Sequence, residues 1–253
     1  MRSKYSVTML AAVVSMLVAS IPVFASNMDD RIESSAKKTY VFKTYLDNDD
    51  IKVESKNGVV TLTGKVAEES HKSLAQDTVA SLPGVKSVDN QLAVNGEHPA
   101  EKSDAWLVTK VKTTLLFHSS VSAMTEVSVN NGVVTLRGDS ASQAQKDLTT
   151  EYAKDVDGVK DVKNEMTVSG AATKKERVGE KIDDASVTAV VKMTLLSHRS
   201  TSAFHTKVET KNGVVTISGK AKNVAEIDLV TKLVSDVNGV KRVINNMTTG
   251  VSK

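Results

Sequence analysis

Asn57-Gly58-Val59-Val60-Thr61-Leu62-Thr63-Gly64 decides the fold, because the chain writes it three times. It returns as Asn131-Gly132-Val133-Val134-Thr135-Leu136-Arg137-Gly138, and again as Asn212-Gly213-Val214-Val215-Thr216-Ile217-Ser218-Gly219. Asn-Gly favours the positive φ values of a two-residue hairpin turn. In the strand that leaves it, Val60 and Leu62 point to one face and Val59 and Thr61 to the other. Upstream, Val53, Val127 and Val208 mark the incoming strands.

A second triplicated block lies downstream. Gly84-Val85-Lys86, Gly158-Val159-Lys160 and Gly239-Val240-Lys241 are followed by Val88 and Asn90, Val162 and Asn164, and Val243 and Asn245. Gly58 and Gly132 stand 74 residues apart, and Gly132 and Gly213 stand 81 apart. These periods exceed solenoid repeats of about 20–50 residues and indicate tandem domains. A polar start (Asp29-Asp30, Asp104, Asp183-Asp184) opens each unit and suits a helix N-terminus. Apolar residues at helical spacing follow: Leu107, Val111 and Leu115 in the second unit, and Val187, Val191 and Leu195 in the third. Between the blocks, Leu74, Thr78 and Leu82, with Leu148, Tyr152 and Val156 and with Leu229, Leu233 and Val237, trace a second amphipathic helix. The expectation is an α+β protein of three tandem αββαβ domains, each a three-stranded sheet packed on two helices. They occupy residues 29–94, 104–168 and 183–249, with linkers at 95–103 and 169–182.

Element order and the two repeated blocks resemble the BON domain, named after bacterial osmotically induced periplasmic and nodulation proteins. The resemblance implies an αββαβ fold, an envelope location and a role in contacting phospholipid membranes under stress. Many members of this exported architecture carry two such domains, and this chain has three. Its first unit also has Tyr40-Val41-Phe42 where the others have Leu115-Leu116 and Leu195-Leu196.

The N-terminus agrees with export. Arg2 and Lys4 precede an uncharged apolar run, and Val23-Phe24-Ala25 supplies a cleavage site, so residues 1–25 read as a signal peptide. Ser20 and Pro22 interrupt the run, which favours cleavage over a retained anchor. The chain has no cysteine, which excludes disulfides, thiolate metal sites, a thiol nucleophile and an acylated cysteine after cleavage. The expected product is periplasmic and soluble after signal cleavage. Removing Arg2 and Lys4 from the 33 bases leaves 31 against 30 acids. Interleaved charge of this kind argues against nucleic acid, as does an aromatic content of 4%.

Little in the sequence carries chemistry. Nine of the 13 glycines are the triplicated Gly58, Gly132, Gly213, Gly64, Gly138, Gly219, Gly84, Gly158 and Gly239, read as structural turn positions. No G-x-G-x-x-G, G-x-S-x-G or H-E-x-x-H can be written. The polar residues shared by all copies are read as Asn, Thr and Lys. Asn57, Asn131 and Asn212 serve turns, Asn90, Asn164 and Asn245 bond backbone, and Lys86, Lys160 and Lys241 are solvated. No catalytic residue, metal ligand or cofactor is expected, and the chain reads as a non-enzyme. His118 and His198 follow the first helices of units two and three and read as helix-end residues; His71 and His98 have no visible partner.

Aromatics and bases share the first helices: Tyr40, Phe42 and Tyr45 among Lys37, Lys38 and Lys43, and Trp106 and Phe117 with Lys110 and Lys112. Such helices can seat at a lipid headgroup layer. Trp106, Lys110, Phe117, Tyr40 and Phe42 are therefore the candidate membrane contacts, unless the aromatics face the core. The functional expectation is an envelope-stress protein of the osmotic-stress type that contacts anionic phospholipid. The alternative is a periplasmic chaperone or adaptor for exported or outer-membrane polypeptides. Small separate cores also predict that Gly64→Val unfolds its own unit and leaves the others intact.

Overall fold

The computed structural model describes residues 22–95, 101–121, 125–169, 182–201 and 206–249, with backbone alone at 22–26. The expected signal segment lies outside the described residues as far as position 21; Pro22 to Ala25 form the first turn of a helix. The first unit contains α1 (Pro22–Lys38), α2 (Tyr40–Thr44), β1 (Asp50–Lys56), β2 (Val59–Val66), α3 (Glu69–Ala80), β3 (Ser87–Asn90) and β4 (Ala93–Val94). The second contains α4 (Asp104–Phe117), β5 (Glu126–Asn130), β6 (Val133–Arg137), β7 (Asp139–Ser140), α5 (Gln143–Lys154), β8 (Asp161–Asn164) and β9 (Thr167–Val168). The third contains α6 (Asp184–Ser197), β10 (Thr206–Lys211), β11 (Val214–Ala221), α7 (Val224–Ser235) and β12 (Arg242–Thr249).

Each unit has one αββαβ topology. Its first two strands form an antiparallel hairpin, and the helix that follows returns the chain so that the last strand pairs parallel to the middle one. In the first unit the register runs from Asp50 opposite Lys65 to Lys56 opposite Val59. Asn57 and Gly58 make the turn at φ 54° and 80°, which classifies it with the mirror-image turns that match strand twist. In units one and two the last strand is written in two pieces, whereas β12 is continuous.

Unit one departs from the expected single first helix. Its α1 and α2 break at Thr39, whose hydroxyl donates to the Ala36 carbonyl at 2.7 Å and accepts from the Phe42 amide at 3.4 Å. That side chain ends one helix and caps the next, a local competition typical of Thr.

The cores are not three separate ones. Unit two has its own, with Leu107, Val111, Leu115, Val134, Leu136 and Met166 buried together. Units one and three share a single continuous core. The reason is α6. Val187, Val191 and Leu195 face its own sheet as the spacing predicts, yet Ser186, Ala189, Val190 and Met193 on the remaining surface are buried too. There α6 lies against α3 of unit one. Polar contacts fix the junction: the Tyr40 amide donates to Asp183 Oδ2 at 2.7 Å, the Val41 amide to Ser186 Oγ at 3.0 Å, and Lys192 to Asp77 Oδ1 at 3.0 Å.

Candidate functional site

The triplicated polar residues are spent on the fold, and a carboxylate belongs among them, contrary to the sequence reading. Asp104 at the start of α4 accepts from the Asn131 and Gly132 amides at 2.7 and 2.8 Å. Asp184 binds Asn212 and Gly213 at the same two distances. Asp29 binds Asn57, Gly58 and the Ser55 hydroxyl at 2.7, 2.9 and 2.7 Å. These donors are left over by the hairpin turn, so the helix start ties down the turn. The repeated lysines are not merely solvated. Lys86 and Lys160 donate to the Asn57 and Asn131 carbonyls at 2.8 and 3.0 Å, and the Lys241 methylenes pack beside Gly213. Asn164 donates to the Lys146 carbonyl at 2.8 Å and accepts from the Met166 amide at 3.0 Å, binding α5 to the last strand; Asn90 and Asn245 do the same in their units.

The candidate membrane contacts divide. Phe117 is 2% exposed and Tyr40 5%, so both leave the surface set. Lys37 and Lys38 on α1, Lys43 on α2 and Lys112 on α4 face outward. Phe117 sits in the core shared by units one and three, its ring edge-on to Tyr45 at 5.4 Å. Phe42 is half-buried against that same core. Trp106 is half-buried against the core of unit two, and Lys110 Nζ lies 5.3 Å from its ring centroid.

The densest cluster of titratable groups joins units two and three. His118 caps the end of α4 and His198 the end of α6, while Asp155 and Asp236 cap α5 and α7. The backbone pairs His118 with Val237 and Val156 with His198, so the first-helix end of each unit meets the second-helix end of the other. His118 Nε2 lies 3.1 Å from His198 Nε2, both rings being 2% exposed. His198 Nδ1 meets Asp155 Oδ2 at 2.7 Å. His118 Nδ1 stands 3.3 Å from Asp236 Oδ2 without completing a hydrogen bond. Tyr152 stacks on His118 at 3.8 Å and donates to Asp236 Oδ2 at 2.8 Å.

The electrostatics follow from burial and donors. Burial works to raise the Asp236 carboxyl, but the His118 ring, the Ser120 and Ser119 hydroxyls and the Tyr152 phenol outweigh it and hold it at about 2. Burial likewise opposes ionisation of Asp155, which His198, Ser200 and Arg199 hold below the usual carboxylate range. Burial and the His198 charge push His118 down, against the pull of Asp236. Burial and Asp236 push the Tyr152 phenol up, so it stays a donor.

Placing the two histidines at helix ends anticipated their position but missed their pairing. A signal was available: Asp155-Val156 precedes Gly158 and Asp236-Val237 precedes Gly239 at one spacing, where unit one reads Ser81-Leu82. Elsewhere, His71 finds Asp49 at 2.6 Å, and His98 lies outside the described residues. Among the described residues no group of three or more His, Asp or Glu is arranged to hold a metal ion. None of the described helices is long and apolar enough to cross a membrane.

Comparison with known proteins gives the same triplication. The family model of the BON domain matches residues 28–96, 103–170 and 183–250. The osmotically-inducible protein Y of Escherichia coli (strain K12) is 32% identical over 192 residues, covering 75% of this chain and 92% of that protein. The 21 kDa hemolysin of Actinobacillus pleuropneumoniae is 35% identical over 44% of this chain and 59% of its own. The outer membrane lipoprotein DolP of Haemophilus influenzae is 34% identical over 43% of this chain and 57% of its own.

Proposed function

Since the chain belongs to the BON-domain family, we propose that it is an exported, non-enzymatic envelope-stress protein of the osmotic-stress type whose units contact anionic phospholipid. The relatives named for osmotic induction and for the outer membrane support this reading. So do the signal-like residues 1–25, from which a periplasmic, soluble product follows.

The observation that carries the lipid contact is the Trp106–Lys110 pair. A half-buried indole with an ammonium 5.3 Å from its ring is held by a cation–π attraction of about 0.5–1 kcal/mol. A lysine at an anionic leaflet gains about 1 kcal/mol. Moving Lys110 from the ring to a lipid phosphate is therefore close to neutral, and it uncovers an indole suited to the headgroup layer. Trp106 is the single tryptophan of the chain, so fluorescence reports it alone. Anionic vesicles should shift its emission blue, and Lys110→Glu should weaken that shift with the fold intact. An unchanged spectrum at saturating lipid removes Trp106 from the site.

A second reading, a periplasmic chaperone or adaptor for exported polypeptides, draws on one observation. β10 is an edge strand, and a groove of about 1200 Å³ runs along it, lined in part by Thr188, Lys192, Glu209, Lys211 and Arg242. Edge strands accept extended chains by backbone pairing. Suppressed aggregation of an unfolded outer-membrane protein, without vesicle binding, would favour this reading over the first.

A further inference from the structure

We propose that His118 and His198 form a proton-counting latch, in which the closed interface between units two and three accommodates one net positive charge on the imidazole pair and a second proton opens it. Three contacts run in line: Asp155 to His198 Nδ1 at 2.7 Å, His198 Nε2 to His118 Nε2 at 3.1 Å, and His118 Nδ1 to Asp236 at 3.3 Å. Each contact takes one proton, and the four ring nitrogens of two neutral imidazoles carry two. With two, the first two contacts close and His118 Nδ1 is left bare, which matches its lack of a hydrogen bond. A third proton completes the line from one carboxylate to the other and leaves one net charge on the pair. A fourth places N–H against N–H at the central contact, with two cations side by side and 2% exposed.

Besides the two histidines, further donors also hold both carboxylates ionised, so they do not relieve this conflict. Asp236, on the cap of α7, receives Ser119 and Ser120 from the end of α4 and Tyr152 from α5. Asp155, on the cap of α5, receives the Ser200 hydroxyl and faces Arg199, both just past α6. Those are the charged and titratable groups that the described elements turn toward the pair. Unit one has Ser81 at the corresponding helix cap and takes no part.

The sign follows from linkage. The closed pair takes its second proton less readily than two separated histidines do, and the burial and mutual charge that lower His118 act in that direction. Separation therefore takes up a proton. The second charge weakens the interface as pH falls below the ordinary histidine value of about 6.5. One linked proton lowers the closed-to-open ratio by at most about tenfold per pH unit.

The absence of native cysteine makes the full chain easy to label. Spin labels at Lys163→Cys in unit two and Asp228→Cys in unit three, both exposed positions, would report the separation. One sharp distance is expected at about pH 7.5 and a second, longer population at about pH 5, on either side of the ordinary histidine value. The double variant His118→Gln/His198→Gln should show the same distribution at both values. No change in the parent, or the same opening in the double variant, overturns the latch. A second measurement needs no variant of the pair: histidine resonances followed through a pH titration of the parent chain. Two coupled steps, with the later one well below about 6.5, support the latch, and two independent steps near that value overturn it.

Discussion

Gly64 shows what one repeated residue enforces. It sits at φ 118° opposite Ile51 in the first hairpin, and a Cβ there would fall onto the Asp50 carbonyl oxygen. A strained backbone conformation alone costs about 1–3 kcal/mol, and the obstacle is main chain that cannot swing aside. Gly64→Ala should therefore lower the unfolding free energy read from a urea titration by at least that much; a smaller loss would show that the hairpin shifts to make room. Asp29 gives a prediction in pH. The Ser55 hydroxyl, with the Gly58 and Asn57 amides, holds its carboxyl below the usual carboxylate range. Its contribution is complete above the unfolded-state value of about 3.9 and is lost as pH falls through the lower folded-state value. Asp29→Asn should flatten that part of the acid unfolding curve. An unaltered curve would assign the acid sensitivity to other groups.

Among the elements, α4 carries the least expected feature. Most of its buried residues serve unit two, yet its last residue, Phe117, fills the core built by α2, α3 and α6. Tyr45 packs against it edge-on, and a small cavity of about 120 Å³ lined by Thr44, Leu74, Leu116 and their neighbours adjoins the ring. Phe117→Ala should cost about 3–5 kcal/mol, as for other large buried aromatics. Because the ring belongs to a foreign core, the loss should be seen in units one and three, while the hydrogen exchange of β5 and β6 stays close to that of the parent. Accelerated exchange confined to unit two would place the ring in the wrong core.

In the whole molecule each unit meets both of the others. Unit three packs on both of the others, through α6 against α3 of unit one and through the paired helix ends against unit two, while Phe117 of unit two also reaches Tyr45 of unit one. The expectation from sequence that Gly64→Val would unfold unit one alone therefore changes. Units one and three share one apolar core, and residues in such contact do not lose stability independently. Hydrogen exchange on a Gly64→Val chain should accelerate in α6 and β11 as well as in β1 and β2. Protection retained in α6 would restore the picture of independent units.

The sequence alone determined the unit. Asn-Gly at positive φ, alternation after it, helical spacing before it and a glycine-marked return to a third strand are local signals, and each was written three times. Those signals also determined the family. They did not determine what the polar residues touch, because Asp104 and Gly132, or Asn164 and Lys146, meet only after the helices dock on the sheet. Nor did they separate Trp106 from Phe117. Both are aromatics on one helix, and only the neighbouring units bury the second almost completely. The pairing of His118 with His198 lies furthest from local rules. The two are 80 residues apart, and their contact exists because two copies of one fold present the same helix ends to each other. A repeated unit fixes its own interior through short-range patterning, whereas the packing of copies depends on surfaces that no single copy can bury by itself.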